Sequence, residues 1–417
     1  MAFDIILSGK FYFRGDFRQL EIGVNNGKIA KIGKNLKGGI RKELEGAILP
    51  AGTDTHVHFR DPGETQKEDF KSGSISAAFG GTTTVFDMPN NKVPILDYAA
   101  FDDKLHSVQN RAYVDFGLYS MFTGNNSQII DQRSSSIKIY LGGSTNTLPV
   151  GDIPEKELNG LRELKKPVVF HGEDADCLAA HKRDDVRTLG EHELSRPELC
   201  ETESAKTILG LEIGHSLMGH ISTPESLDIL QGKVLGEVTP HHLLLNTNSE
   251  SGSWGKVNPP LRGRNTQEKI LQAYLDGKFD LLSSDHAPHT EHDKEEFSHA
   301  PSGIIGVETR IPLLLALVQK KVLSMEVFYN TAIRNPAGFM GIKKGLVEVG
   351  YYADFFNFRF SDIKKLNQER LHSKTPVSPF NELPVIFPEN VTLRGEFLIE
   401  GMELVEDRMG KHLIDLK

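Results

Sequence analysis

Eight short apolar segments, separated by helix-compatible stretches, dominate the chain after Pro50. The segments are ILPAGTDTHVHF, TTTVFDMP, YVDFGLYSMF, SSIKIYLG, PVVFHGE, HSLMGHIS, KVLGEVTPHH and FDLLSSDHAPH. Helices are predicted over 65–80, 95–110, 152–165, 197–214 and 266–277. Strands that alternate with helices over about 290 residues are typical of a (β/α)8 barrel, in which each helix returns the chain to the start of the next parallel strand. We therefore predict an α/β fold with a TIM-like barrel over residues 51–344.

The two ends of the chain differ from this pattern. Residues 1–50 and 345–417 contain short alternating segments such as DIILSGKFYF and NVTLRGEFLIEGMEL, without long helices. Asn26 and Gly27 are residues that a tight hairpin turn favours. The simplest architecture is a small composite β-sandwich domain built from both termini. Two separate terminal domains are the alternative that the sequence leaves open.

Composition excludes several classes of protein. The 417 residues carry a formal net charge of −9, which argues against a nucleic-acid partner. No apolar run approaches the roughly 20 residues that span a bilayer, and the start of the chain resembles a strand more than a signal peptide. With only Cys177 and Cys200, the chain has no disulfide scaffold, so we expect reduced, inert thiols in a cytoplasmic protein.

Metal-binding side chains recur where the predicted barrel strands end. His56 and His58 are two apart on the first strand, so both imidazoles point to the same side. His171, His220 and Asp285 end the fifth, sixth and eighth strands. An isolated HxH pair is more often structural, but the carboxyl ends of barrel strands share one face of the molecule. Together these residues predict a metal site at that face.

Lys138 lies in the apolar fourth strand, SIKIYLG. A buried ammonium ion is costly and has no lone pair to offer a metal. A buried salt bridge or an outward-facing charge would be the ordinary interpretation. Beside two groups of histidines we favour another hypothesis, in which the amine reacts with carbon dioxide to give a carbamate that bridges two metal ions.

Further motifs accompany these residues along the whole barrel. They are HVHFRDPG (56–63), DMPNN (87–91), SIKIYLG (136–142), VVFHGED (168–174), GHIST (219–223), VTPHH (238–242), VNPPLR (257–262), SSDHAPH (283–289) and GVETRIPLLL (306–315). Together they resemble the amidohydrolase superfamily, and within it the dihydroorotases. The resemblance implies a (β/α)8 barrel with a composite β-sandwich domain, and a zinc site. It also implies reversible ring opening of dihydroorotate to N-carbamoyl-L-aspartate, a step of de novo pyrimidine biosynthesis.

The resemblance assigns the metal ligands. His56, His58 and Asp285 match the ligands of one zinc ion, and His171 and His220 match those of a second. Lys138 stands where many members have a carboxylated lysine that bridges both ions. Paired zinc ions acidify a water molecule to make a nucleophile. Asp285 would take the proton of that water and pass it to the departing ring nitrogen.

The resemblance also assigns substrate contacts. Arg60 has the planar donor fork that suits a carboxylate, and with Asn90 and His289 it matches the family's contacts to the substrate carboxylate. Asn258 and the backbone of Ser302 and Gly303 match positions that contact the ring. Residues 286–303 are a candidate lid over the site.

Other histidines are predicted to have no part in metal binding. We expect His215 to be a strand-start or core residue, and His241 and His242 either to support the metal ligands or to be structural. We expect His286 to point away from Asp285. A last group is expected to be solvated: His181, His192, His292 and His299.

Two other functions fit the sequence less well. An allantoinase or hydantoinase would share the metals, but its substrates lack the ring carboxylate that Arg60, Asn90 and His289 would hold. A non-catalytic dihydroorotase-like subunit of aspartate transcarbamoylase would typically lose metal ligands, and all six candidates are present. A homodimer is a family expectation.

Overall fold

The computed structural model describes residues 2–405 and 410–416. Four strands occupy the first fifty residues: β1 (Ile5–Phe13), β2 (Asp16–Asn25), β3 (Lys28–Gly33) and β4 (Ile40–Pro50). Asn26 and Gly27 join β2 to β3 with φ of 51° and 74°, the backbone that a tight hairpin turn requires. The predicted hairpin is confirmed.

Eight further strands form the barrel. They are β5 (Gly52–Val57), β6 (Thr82–Asp87), β7 (Asp115–Phe122), β8 (Ser136–Tyr140), β9 (Val168–His171), β10 (Ser216–Met218), β11 (Leu235–Val238) and β12 (Leu281–Leu282). From β5 to β12, each strand pairs in parallel with the next strand along the chain. The ring closes where the His58 amide donates to the His286 carbonyl at 2.7 Å. All eight predicted strands are confirmed.

Helices cover the outside of this sheet and follow its strands. They are α1 (Phe70–Phe79), α2 (Tyr98–Val108), α3 (Glu155–Leu164), α4 (Ala175–Ala180), α5 (Leu189–Ser195), α6 (Glu198–Gly210), α7 (Pro224–Leu230), α8 (Pro240–Leu244), α9 (Arg264–Leu275), α10 (Arg310–Gln319), α11 (Met325–Tyr329) and α12 (Asn335–Phe339). A π-helical turn, Asn330–Arg334, joins the last two. Short 3-10 turns occur at Gly252–Gly255, His292–Lys294, Phe360–Asp362, Gln368–Arg370 and Leu413–Leu416.

The five predicted helices are all present, and their ends lie within a few residues of the predicted ones. The first begins at Phe70 and not at residue 65, because Asp69 caps it. The Asp69 side chain accepts from the Ser72 amide, and the Ser72 side chain accepts from the Asp69 amide. This reciprocal pair satisfies two otherwise unpaired helix donors and fixes the first turn.

Strands from the two chain ends form one sheet. The C-terminal strands are β13 (Phe355–Phe358), β14 (Lys364–Lys365), β15 (Pro384–Val385), β16 (Asn390–Leu393), β17 (Glu396–Glu400) and β18 (Glu403–Leu404). The sheet order is β18-β17-β16-β13-β4-β1-β2-β3, with β14 and β15 paired separately. Because β4 pairs with β13, the terminal β domain is composite, and the alternative of two separate terminal domains is wrong.

A buried ion network joins this sheet to the barrel. Lys344 Nζ lies 2.6 Å from an oxygen of Asp115, at the start of β7, and 2.7 Å from one of Asp354, just before β13. Arg394 Nη1 adds a contact of 2.6 Å to Asp115. Buried charges are tolerated when they are paired in this way, so the network holds the two sheets in fixed contact.

The expectation of two reduced thiols is wrong in this structure. Cys177 in α4 and Cys200 in α6 form a disulfide, with Cα atoms 5.3 Å apart. The two residues are 23 positions apart, and only the packing of α4 against α6 brings them together. No helix in the described part of the chain is long and apolar enough to cross a membrane.

Candidate active site

The five predicted histidine and aspartate ligands meet at the carboxyl ends of the barrel strands. Asp285 Oδ1 lies 3.4 Å from His56 Nε2 and 3.1 Å from His58 Nε2. A second pair adjoins this group: His171 Nδ1 lies 3.0 Å from His220 Nε2. The His56 and His220 ring centres are 5.3 Å apart. The structure therefore brings together both predicted ligand groups, while metal binding itself stays a prediction.

The electrostatics of these groups suit a metal. Burial lowers the pKa of His58 to about 3 and that of His220 well below its usual value, so the imidazoles are neutral. Burial by itself would raise the pKa of Asp285, but the neighbouring His56 and His58 hold it well below its ordinary value. Neutral imidazole and ionised carboxylate are the forms that ligate divalent ions.

The backbone turns sharply where these side chains leave the strands. Arg60, His220 and Asp285 have φ of 59°, 40° and 46°, a left-handed conformation that costs energy for residues other than glycine. Strands β10 and β12 end at Met218 and Leu282. His220 and Asp285 therefore project from the turns that follow these strands, at the barrel mouth.

Lys138, on β8, is fully buried. Its Nζ has no hydrogen-bond partner among the described residues and lies 5.4 Å from the Tyr140 ring centre. Both ordinary interpretations, a salt bridge and an outward-facing charge, are therefore wrong. Burial lowers the pKa of Lys138 to about 8. This unpartnered amine is within electrostatic reach of His171, His220 and Asp285, so it adjoins the candidate ligands, while its carbamate form stays a prediction.

A small pocket opens onto these groups. Its described lining includes five of the predicted substrate residues: Arg60, Asn90, Asn258, Ser302 and Gly303. The sixth, His289, lies behind Arg60, with Nε2 3.3 Å from Arg60 Nη2 and 3.1 Å from the Ser302 carbonyl. All six residues therefore gather at one mouth, and their contacts to a substrate stay predictions.

Arg60 is a buried cation without an acidic partner. Its side chain is 3% exposed, and Nε donates to the Pro288 carbonyl at 3.3 Å. In the described part of the chain no Asp or Glu forms an ion pair with it. Burial lowers the pKa of Arg60, but a guanidinium stays charged in proteins. Such a group favours an anionic ligand.

Two predicted contact residues have additional roles. The Asn90 carbonyl oxygen lies 2.7 Å from His58 Nδ1, and its amide nitrogen donates to the Thr145 carbonyl at 2.9 Å. Asn90 thus orients a candidate ligand. Asn258 Oδ1 accepts from Ser302 Oγ at 3.0 Å and lies 3.0 Å from His192 Nε2.

His192 is the one histidine whose predicted exposure is wrong. It is 6% exposed, and Nε2 also lies 2.9 Å from the Val257 carbonyl. The polar sequence around it concealed this burial, because the loop that carries Val257 and Asn258 folds over α5. The other three histidines expected to be solvated, His181, His292 and His299, are exposed.

Four further histidines lie where the sequence predicts, and the roles expected of His241 and His242 stay predictions. His241 and His242 are buried, and His242 Nε2 lies 3.1 Å from the Pro259 carbonyl. His286 accepts from the Gly306 amide at 3.1 Å, away from the pocket. His215 directly precedes β10 and packs edge-on against Phe339, outside the core.

A model of the "Amidohydrolase family" matches residues 47–383, most of the chain. The chain belongs to the amidohydrolase family. This amidohydrolase is 53% identical over 410 residues to the dihydroorotase of Thermoplasma acidophilum, with 98% of each chain covered. It is 35% identical over 409 residues to the dihydroorotase of Archaeoglobus fulgidus, with 95% of this chain and 97% of that one covered.

Solved structures show the same fold. The L-hydantoinase (dihydropyrimidinase) of Arthrobacter aurescens superimposes with a TM-score of 0.91, covers 99% of both chains and is 26% identical. The match spans the barrel and the terminal sheet together. The amidohydrolase is therefore an enzyme of the hydrolase class with a TIM-like barrel, as its sequence predicts.

Sequence reasoning missed several residues of this amidohydrolase's site. Glu173 and Glu237 are fully buried and contact candidate ligands. Tyr140, Ser144 and Thr145 line the pocket. A glutamate inside the apolar strand Leu235–Val238 was a usable signal, because an acid in such a strand requires a partner. Tyr140, at the end of β8, and the loop residues Ser144 and Thr145 carried no comparable signal.

Proposed function

We propose that the chain is a zinc-dependent, cytoplasmic dihydroorotase. It would catalyse the reversible hydrolysis of the dihydroorotate ring amide to N-carbamoyl-L-aspartate, in de novo pyrimidine biosynthesis. The relatives named dihydroorotase that match nearly the whole chain support this proposal. So does the combination of metal-ligating side chains and a small polar pocket at one barrel mouth.

The choice of substrate rests on Arg60, which is buried and forms no ion pair with an acidic side chain among residues 2–405 and 410–416. Dihydroorotate has a carboxylate on its ring, whereas hydantoin and allantoin have none at that position. A planar guanidinium binds a carboxylate through two parallel hydrogen bonds. Asn90 and His289 would assist Arg60, while Asn258, Ser302 and Gly303 would contact the ring.

The candidate ligands would hold two ions. His56, His58 and Asp285 would hold one zinc and His171 and His220 the other, with Lys138 bridging as its carbamate. When bound, such a pair supplies Lewis acidity that lowers the pKa of water and polarises an amide carbonyl. Asp285 would accept the proton of the attacking water and deliver it to the ring nitrogen as the amide bond breaks.

The hydantoinase structures favour one other candidate, a cyclic amidase that acts on a ring without a carboxylate. The two proposals differ in what Arg60 does. In a hydantoinase it would have no substrate anion to hold. A non-catalytic subunit is disfavoured, because all six candidate ligands are present and close together.

The test is hydrolysis of dihydroorotate, hydantoin and allantoin by protein of measured zinc content. We expect turnover of dihydroorotate above the other two, with about two zinc ions per chain. In Arg60→Gln we expect KM for dihydroorotate to rise 10- to 100-fold, since a charged hydrogen bond contributes about 1.5–3 kcal/mol. Zinc content should not change.

The matched control is Arg264→Gln, which removes an exposed arginine of an i,i+4 pair with Glu268. It should leave KM unchanged. Faster turnover of hydantoin than of dihydroorotate would contradict the proposal, as would an unaltered KM in Arg60→Gln. Light scattering on the same samples tests the expected homodimer.

A further inference from the structure

Glu237 lies behind one candidate ligand. It is on β11, a barrel strand that supplies no predicted ligand, and is fully buried. Its Oε1 lies 2.9 Å from His56 Nδ1. The same carboxylate accepts from Thr55 Oγ1 at 3.1 Å and from the His220 amide at 3.2 Å. These contacts hold the carboxylate in one orientation against the imidazole.

Glu173 has the corresponding place behind the second group. It follows β9 by two residues and is also fully buried. Its Oε2 lies 3.0 Å from His171 Nε2, and its Oε1 accepts from Arg196 Nε at 2.9 Å. Arg196 thereby fixes this carboxylate and neutralises its charge.

The two carboxylates contact opposite ring nitrogens. An ionised carboxylate only accepts hydrogen bonds, so the nitrogen that faces it must carry the hydrogen. His56 is then protonated at Nδ1 and presents the lone pair of Nε2 toward Asp285, 3.4 Å away. His171 is protonated at Nε2 and presents Nδ1 toward His220, 3.0 Å away.

We propose that Glu237 and Glu173 are positioning residues that fix opposite tautomers of His56 and His171. Each glutamate thereby directs the lone pair of its histidine's other ring nitrogen toward one of the two metal positions. The inference rests on the proposed metal-dependent function. It goes beyond that function because it assigns each ion its own supporting carboxylate. A carboxylate behind a ligating histidine orients the ring and raises its basicity, and its loss typically weakens metal binding 10- to 100-fold.

The first measurement is zinc binding by the full-length, metal-depleted protein in competition with a chromophoric chelator. The wild type should bind two ions. In Glu237→Gln and in Glu173→Gln we expect one of the two affinities to fall 10- to 100-fold. Glu173→Gln should have no further effect once His171→Asn is present, but its full effect beside His58→Asn. Glu237→Gln should have no further effect once His56→Asn is present, but its full effect beside His171→Asn.

The matched control is Glu201→Gln. Glu201 is also fully buried and forms hydrogen bonds to Ser222, Thr223 and Arg262, but to no imidazole of the described residues. Replacing it should lower the temperature of unfolding and leave both zinc affinities unchanged. This control separates positioning of the histidines from a general loss of stability.

The second measurement is nitrogen-15 NMR of the histidines in metal-free protein, which reports tautomers directly. The wild type should show His56 with its hydrogen on Nδ1 and His171 with its hydrogen on Nε2. Each variant should shift only its own histidine toward the other tautomer.

The reverse tautomers in the wild type would overturn the inference. So would unchanged zinc affinities in both variants, or an equal loss of affinity in Glu201→Gln. A wild type that binds no zinc would overturn the proposed function, while the tautomers would still decide this inference.

Discussion

Asp285 contacts both histidines of its group through one oxygen. Oδ1 lies 3.4 Å from His56 and 3.1 Å from His58, whereas Oδ2 forms no hydrogen bond or ion pair to a described residue. One oxygen is therefore suited to ligation and the other to transfer of a proton. The lowered pKa of Asp285 keeps the carboxylate ionised, which is the form a general base requires.

Asp285→Asn tests the proton-transfer role. An amide retains an oxygen ligand but cannot accept the proton of the attacking water. We expect kcat for dihydroorotate to fall 10²- to 10⁴-fold with little change in KM, at zinc content matched to the wild type. Comparable losses in kcat and in substrate affinity would count against the role.

At the scale of elements, the disulfide joins two segments next to the site. It links α4, which follows β9 and His171, to α6. The Asp174 amide also donates to the Cys200 carbonyl at 2.9 Å. A crosslink between residues 23 positions apart limits the freedom of the unfolded chain, an effect that contributes about 2–4 kcal/mol.

The double variant with Cys177→Ser and Cys200→Ser should therefore unfold at lower denaturant concentration. We expect a loss of about 2–4 kcal/mol in the free energy of unfolding. A reducing agent should lower the stability of the wild type by a similar amount and leave the variant unchanged. Equal stabilities, or two free thiols in the wild type by mass spectrometry, would refute the bridge.

At the scale of the whole molecule, the last described residues pack against the barrel. His412 is 2% exposed, and its ring lies 5.3 Å from that of Phe116 on β7. Neither of its ring nitrogens has a partner among the described residues. Burial lowers the pKa of His412 to about 4, so the folded chain holds a neutral imidazole there.

This burial predicts acid sensitivity. In the unfolded chain the His412 imidazole binds a proton below its ordinary pKa of 6.5. In the folded chain the same imidazole stays neutral down to its lowered pKa of about 4. The stabilisation is therefore complete above pH 6.5 and is lost as the pH falls, by up to about 3 kcal/mol. His412→Phe should flatten the fall in unfolding free energy between pH 6.5 and 4. An unchanged pH dependence would contradict this account.

The sequence by itself determined the barrel, the strand character of both chain ends and the position of the five histidine and aspartate candidates. Local sequence patterns indicate each of these features. The patterns are apolar strands of recurring spacing, turn residues such as Asn26 and Gly27, and side chains that end successive strands. Parallel strands in a barrel end at one face. Residues placed at those ends are therefore near one another before any distance is known.

Only the tertiary structure decided which groups touch. Glu237 lies 181 positions from His56, the two cysteines meet across two packed helices, and His192 is buried by a distant loop. No local pattern encodes these contacts, because they depend on how separate elements pack. Among the described residues, packing also left Lys138 without a hydrogen-bond partner and Arg60 without a counter-ion. The strand and turn pattern thus located the candidate site, and the packing of distant side chains set its electrostatics.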